Sequence, residues 1–148
     1  MSTVSEAQSV LFVSAGNAGR SIMAESVLNK LGEGRYVAYS AGCHPTRKVN
    51  PLVLEVLRER GYPTDGLESK SWHAFSIPLP DPLQYVISVC AKTARVRPPA
   101  WPGSPLTLEW DFPDPTASDM PAADLRIALT RVCLDIERAV RNFLDEGA

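Results

Sequence analysis

The chain is poor in the residues that most readily hold metals or cross-link a small fold. It has two histidines and three cysteines in 148 residues. Cys43, Cys90 and Cys133 lie far apart and none belongs to a C-x-x-C pair. Neither a disulfide framework nor a zinc site of that kind is indicated. His44 and His73 lack metal-ligand spacing and read as surface or packing residues. Lys and Arg form no run, and 15 basic residues stand against 17 acidic ones, for a net charge of −2. That balance gives no charged patch for nucleic acid or for a membrane surface. No apolar stretch approaches the roughly 18–20 residues of a spanning helix. The first ten residues lack the basic start and apolar run of a signal peptide. A cytoplasmic location is the expectation, and in a reducing compartment the cysteines are free thiols.

What is present is ordinary for a globular domain: 45% hydrophobic and 22% charged residues. A chain this long buries about two-thirds of its unfolded surface, so a single domain over 1–148 is expected. Residues 1–8 are polar and expected to be flexible. Ser9–Ser14 (SVLFVS) is a short β-rich apolar run, as are 36–41 (YVAYSA) and 85–90 (YVISVC), and 106–110 is a candidate fourth strand. A helical pattern starts at Arg20 and stops near Gly32, with Ala24, Val27, Leu28 and Leu31 on one face. Asn50-Pro51 opens a second helix that stops at Gly61. The last is a long amphipathic helix over 122–146, whose stripe of Leu125, Leu129, Val132, Ile136, Val140 and Phe143 has Cys133 beside it as packing. Three proline-rich stretches, 77–82, 97–103 and 112–121, are stiff connections with room for function. Alternating strands and helices predict an α/β fold, a parallel sheet flanked by helices on its faces. Ligands of such sheets bind at the carboxyl ends of the strands.

The loop Ser14-Ala15-Gly16-Asn17-Ala18-Gly19-Arg20-Ser21 lies at such an end. Small residues let backbone N–H groups turn inward, and the helix that follows adds its positive end. The Arg20 fork suits two oxygens of a tetrahedral oxyanion, and Asn17 suits a left-handed backbone position. A phosphate-sized guest fits this chemistry. An ATP-type P-loop is excluded, because only two residues separate Gly16 from Gly19 and Arg follows instead of Lys.

This loop resembles the C-x5-R-S loop of the low-molecular-weight tyrosine phosphatase superfamily, with Ser14 where the nucleophilic cysteine stands. The segments VLFVSAGNAGRSIMAESVLNKL, YSAGCHPTRKVNPL, GLESKSWHAF, YVISVC, PAWPGSPLT and WDFPDP resemble its arsenate reductase branch, in order from Ser9 to Leu144. The resemblance implies a four-stranded parallel sheet flanked by helices. It implies an arsenate or phosphate site in which position 14 attacks, and the backbone of Ala15, Gly16, Asn17, Ala18 and Gly19 binds the oxyanion together with Arg20. Ser21 hydrogen-bonds the nucleophile, and Asp114 acts as general acid. Thr116 stands where phosphatase members have an aromatic residue, which favours arsenate as the substrate. No metal or organic cofactor is implied; an external thiol of the glutathione or thioredoxin type is.

The departures from the pattern bear on activity. Serine cannot form the thiolate that the loop would stabilise, and it cannot donate the electrons that arsenate reduction requires. Cys90 matches one thiol of a resolving pair, whereas Arg97 stands where the other belongs; Cys43 is an extra thiol. Two origins are open for Ser14: a Cys→Ser change made by design, or a natural one that leaves a pseudoenzyme. The resulting readings are a reductase scaffold that is active only with Cys at position 14, an oxyanion- or phosphoprotein-binding module, and a serine-dependent phosphatase. Trp72, Trp101 and Trp110 are expected to anchor core and loops more than to wall the site.

Overall fold

The computed structural model describes residues 7–76, 82–91, 93 and 96–146. Strand β1 spans Gln8–Ser14 and is buried from Ser9 onward, as a strand covered on both faces must be. Helix α1 (Arg20–Leu31), strand β2 (Tyr36–Gly42), helix α2 (Pro51–Glu59), strand β3 (Leu83–Ser88), strand β4 (Leu106–Glu109) and helix α3 (Ala122–Glu146) follow. Short 3-10 turns lie at Trp72–Phe75 and Pro115–Ala117. The strand order is β2-β1-β3-β4, with every pair parallel. The expected four-stranded parallel sheet is therefore present, with β1 central and its carboxyl end between the ends of β2 and β3.

Alternation along β1 divides the core. Val10 and Phe12 face one side, where they pack with Ile22, Met23, Val27 and Leu28 of α1, Val53, Val56 and Leu57 of α2, and the stripe of α3. Leu11 and Val13 face the other side, with Trp72, Phe75 and Val86, and with Trp101 against them. The three α-helices thus share one face. Among the described residues, the second face is closed by a 3-10 turn and the 97–103 loop, where helices on both faces were expected. Each large apolar side chain fully buried here contributes about 1.5–3 kcal/mol.

Boundaries follow local chemistry. Asn50 caps α2 by accepting from the Leu52 N–H at 2.9 Å, with Pro51 at the first position. Arg60 caps the other end of α2, and Gly61 takes the left-handed conformation beyond it (φ 82°). The third strand runs 83–88 rather than 85–90, so Cys90 lies two residues past it. The Val89 N–H still donates to the Val13 carbonyl at 3.0 Å, and the chain turns at Cys90, whose carbonyl accepts from the Thr93 N–H at 3.1 Å. Gln8 already pairs with Tyr36, which makes it part of β1 and not of a flexible start. The rest of that expectation, residues 1–6, lies outside the described residues, as does the proline stretch at 77–81. Among the described residues, no helix is long and apolar enough to cross a membrane.

Candidate functional site

The loop between β1 and α1 is held by its carbonyls. Ser14, Ala15, Gly16 and Ala18 accept from the N–H groups of Cys43 (3.2 Å), His44 (2.8 Å), Thr46 (3.0 Å) and Asn50 (3.0 Å). The Ser69 hydroxyl adds a second bond to the Gly16 carbonyl at 3.0 Å. With the carbonyls drawn outward, the peptide N–H groups turn to the inside of the loop. Among the described residues, no protein acceptor takes those of Ala15, Gly16, Ala18 or Gly19. Such a ring of inward donors at a helix start is an anion cradle. The packing demands glycine at 42: a Cβ there would lie 2.7 Å from the Ala15 carbonyl oxygen.

Asn17 is the internal brace. It is fully buried and left-handed (φ 51°). Its side-chain Nδ2 donates to Ser21 Oγ at 2.8 Å, and its Oδ1 accepts from the Lys70 N–H at 2.9 Å. Its backbone N–H donates to Ser14 Oγ at 3.1 Å, and Ser14 Oγ also lies 2.7 Å from Ser21 Oγ. The Ser14 hydroxyl is buried at the floor of the loop.

A cavity of about 160 Å³ opens over this floor. Ser14, Gly16, Ala18, Arg20 and Asp114 line it, and Thr46 and Asn50 form part of its wall. Arg20 Nη1 donates to the Phe112 carbonyl at 2.9 Å, and Nη2 lies 3.5 Å from Asp114 Oδ2. Asp114 Oδ1 accepts from the Thr116 N–H (3.0 Å) and hydroxyl (2.6 Å), which fixes the carboxylate at the rim. One cationic fork, one carboxylate, a ring of N–H donors and a buried hydroxyl therefore face a space of oxyanion size.

Of the residues expected at the site, Ser14, Gly16, Asn17, Ala18, Gly19, Arg20 and Asp114 line the cavity. Ala15 belongs to the loop, and Ser21 reaches it through Ser14. Cys90 is not in the lining; it is buried past the end of β3. Cys43 is half-buried at the end of β2, and desolvation pushes its thiol pKa up. Cys133 sits in the helical core, where burial raises it to about 11. None of the three tryptophans lines the cavity: Trp110 packs on Phe12 and Phe143, while Trp72 and Trp101 meet on the second face. His44 and His73 are exposed. Among the described residues, no three His, Cys, Asp or Glu side chains come together to hold a metal.

Residues 9–147 match the family model described as low molecular weight phosphotyrosine protein phosphatase. The chain belongs to that family. It is 30% identical over 111 residues to a glutaredoxin arsenate reductase of Synechocystis sp., covering 75% of this chain and 81% of that protein. The fold is similar to a thioredoxin-dependent arsenate reductase of Corynebacterium glutamicum (TM-score 0.68, 27% identity, 97% of this chain), although this chain spans only 63% of that one. It is also similar to an arsenate reductase in a phosphate-binding state (TM-score 0.72, 25% identity, 94% of this chain and 98% of that one).

Within this member of the phosphatase family, sequence reasoning missed Thr46, Ser69 and Lys70, which brace the loop from outside. They act through one hydroxyl and two backbone N–H groups, and a backbone donor leaves no mark on residue type. Ser69 carried a faint signal, as a small polar residue within the GLESKSWHAF segment.

Proposed function

We propose that this chain is an arsenate reductase-type oxyanion protein in which Ser14 occupies the place of the family's nucleophilic cysteine. One observation carries this reading: inward N–H donors, the Arg20 fork and the Asp114 carboxylate all face one cavity above the Ser14 hydroxyl. Arsenate or phosphate binds in the 14–21 loop, with its charge met by the backbone of 15–20 and by Arg20. With cysteine at 14, the thiolate attacks arsenic and Asp114 protonates the departing oxygen. A second thiol, Cys90 or an external glutathione or thioredoxin-type thiol, then attacks that sulfur. The S–S bond forms as As(V) takes up the electron pair and leaves as As(III). Relatives named for glutaredoxin and thioredoxin dependence support a thiol reductant as partner. Such chemistry belongs in a reducing compartment, the cytoplasm. With serine the second half cannot occur, since oxygen forms no analogous two-electron link.

The test is arsenate-dependent thiol consumption by Ser14→Cys, with glutathione and with a thioredoxin system. Turnover is expected in the variant and none in the parent chain. A variant that binds arsenate yet consumes no thiol with either reductant refutes the reading.

A second reading rests on Ser14 itself: a binding module that keeps the cradle and has lost the chemistry. Phosphate or arsenate then raises the melting temperature of the unmodified chain at low salt, and Arg20→Ala removes that protection. An unmodified chain whose melting is unmoved by either anion ends this reading.

A further inference from the structure

Among the described residues, the charged side chains that line the oxyanion cavity are Arg20 and Asp114, which face each other at 3.5 Å. Their charges offset, so a guest with two negative charges meets N–H donors there but no net charge. Further cations stand at the edge. Thr46 lines the cavity, and Arg47 and Lys48 follow it directly in the chain. Both are exposed, and among the described residues neither side chain has a hydrogen bond or an ion pair. Glu68 and Lys70, on either side of Ser69, offset one another as charges.

Arg47 is held at this edge against its backbone preference. Its φ is 69°, in the left-handed region that a long side chain rarely adopts. The turn that imposes this conformation is fastened to the anion loop. The Arg47 N–H donates to Ser69 Oγ at 3.0 Å, and the Ser69 hydroxyl donates to the Gly16 carbonyl at 3.0 Å. The Thr46 hydroxyl closes the turn, donating to the Lys48 carbonyl at 2.9 Å and accepting from the Lys48 N–H at 3.3 Å. Glycine or asparagine would fill position 47 at less cost. What arginine adds there is its charge.

We propose that Arg47 and Lys48 form a cationic lip that draws a doubly charged oxyanion into the 14–21 loop. The inference rests on the reading of that loop as an oxyanion site, and it adds two residues that act through their field and need not touch the guest. Charge reaches over a Debye length, roughly 10 Å at 0.1 M salt, and a turn that adjoins the cavity wall lies within it. Each unit charge acts twice as strongly on a dianion as on a monoanion.

The test is phosphate binding by the Ser14 chain and its variants, measured by calorimetry at mildly alkaline pH, where phosphate is a dianion. Sodium chloride is set at about 20 mM and then at about 500 mM, to lengthen and shorten the reach of charge. Arg47→Gly should weaken phosphate about fivefold at low salt, and the gap should close to less than about twofold at high salt. Arg47→Lys, which keeps the charge, retains the affinity. Lys48→Gln, which leaves the left-handed position alone, weakens binding in the same salt-dependent way. Arg47→Gly should not lower the melting temperature, because relief at a left-handed position offsets the freedom glycine gives the unfolded chain. Lost affinity is then not lost fold. The inference is overturned if Arg47→Gly and Lys48→Gln bind phosphate as tightly as the parent chain at low salt. It is also overturned if their gap stays as wide at high salt, which would mark a distorted loop. A parent chain that binds no phosphate at either salt refutes the oxyanion reading itself, and this inference with it.

Discussion

Asn17 joins the oxyanion loop to the rest of the fold through a single amide. It bonds Ser21 with its nitrogen and the Lys70 backbone with its oxygen, from a left-handed position that most residues avoid. Asn17→Ala loses both side-chain bonds, leaves the Lys70 N–H without an acceptor and adds left-handed strain. Its expected cost is about 3 kcal/mol in urea unfolding. Asn17→Gly relieves the strain but not the lost bonds, so about 2 kcal/mol is expected. Equal losses for the two variants would mean that the backbone conformation contributes nothing. Sequence reasoning placed Asn17 correctly because its backbone preference is local. It could not find the bond to Lys70, since that partner is 53 residues away and acts through its main chain.

At the scale of elements, the site is built where α1 and α2 both begin. The side chain of Asn50 caps α2, while its backbone N–H holds the Ala18 carbonyl at 3.0 Å. Asn50→Ala removes the cap and keeps the backbone bond. It should cost about 1 kcal/mol, seen as a lower melting temperature, with anion affinity changed less than twofold. A larger loss of affinity would show that the cap also sets the shape of the loop. Elements with strong local signals were legible in the sequence: α3 was read at its full span, and α2 was found from its cap and its glycine stop. The carboxyl end of β3 was misplaced by two residues because Val89 and Cys90 are as apolar as the strand before them. The strand gives way to a turn at Cys90, whose carbonyl accepts from the Thr93 N–H. That all three helices share one face was equally hidden. The covering of the second face depends on Trp72, Phe75 and Trp101, which have no periodicity to read.

For the whole molecule, two carboxylates pull stability in opposite directions as pH changes. Glu25 of α1 lies near Ser40 of β2. Burial raises its pKa above the ordinary value, against the hydrogen bond from the Ser40 hydroxyl and the charge of Lys70. The folded state therefore keeps a proton that the unfolded chain releases. This contribution is full below the ordinary carboxylate pKa and is lost as pH rises through the raised one. Glu137 of α3 is also penalised by burial, but two bonds from Arg60 (2.8 and 3.2 Å) and the Tyr62 hydroxyl outweigh it and hold its pKa below the ordinary value. Its contribution is present above the ordinary pKa and is lost as pH falls through the lowered one. Glu25→Gln should therefore flatten the decline in stability on the neutral side of the carboxylate range. Glu137→Gln should cost about 1–2 kcal/mol at pH 7, discounted because Arg60 is partly open to solvent. That deficit should shrink as the pH is lowered. Urea unfolding from pH 3 to 8 measures both profiles. Parallel curves for the two variants would show that neither carboxylate is coupled to folding, and that the Arg60–Glu137 pair adds nothing to the α2–α3 junction beyond its apolar contacts and the pairs of Arg126 with Glu55 and Glu59.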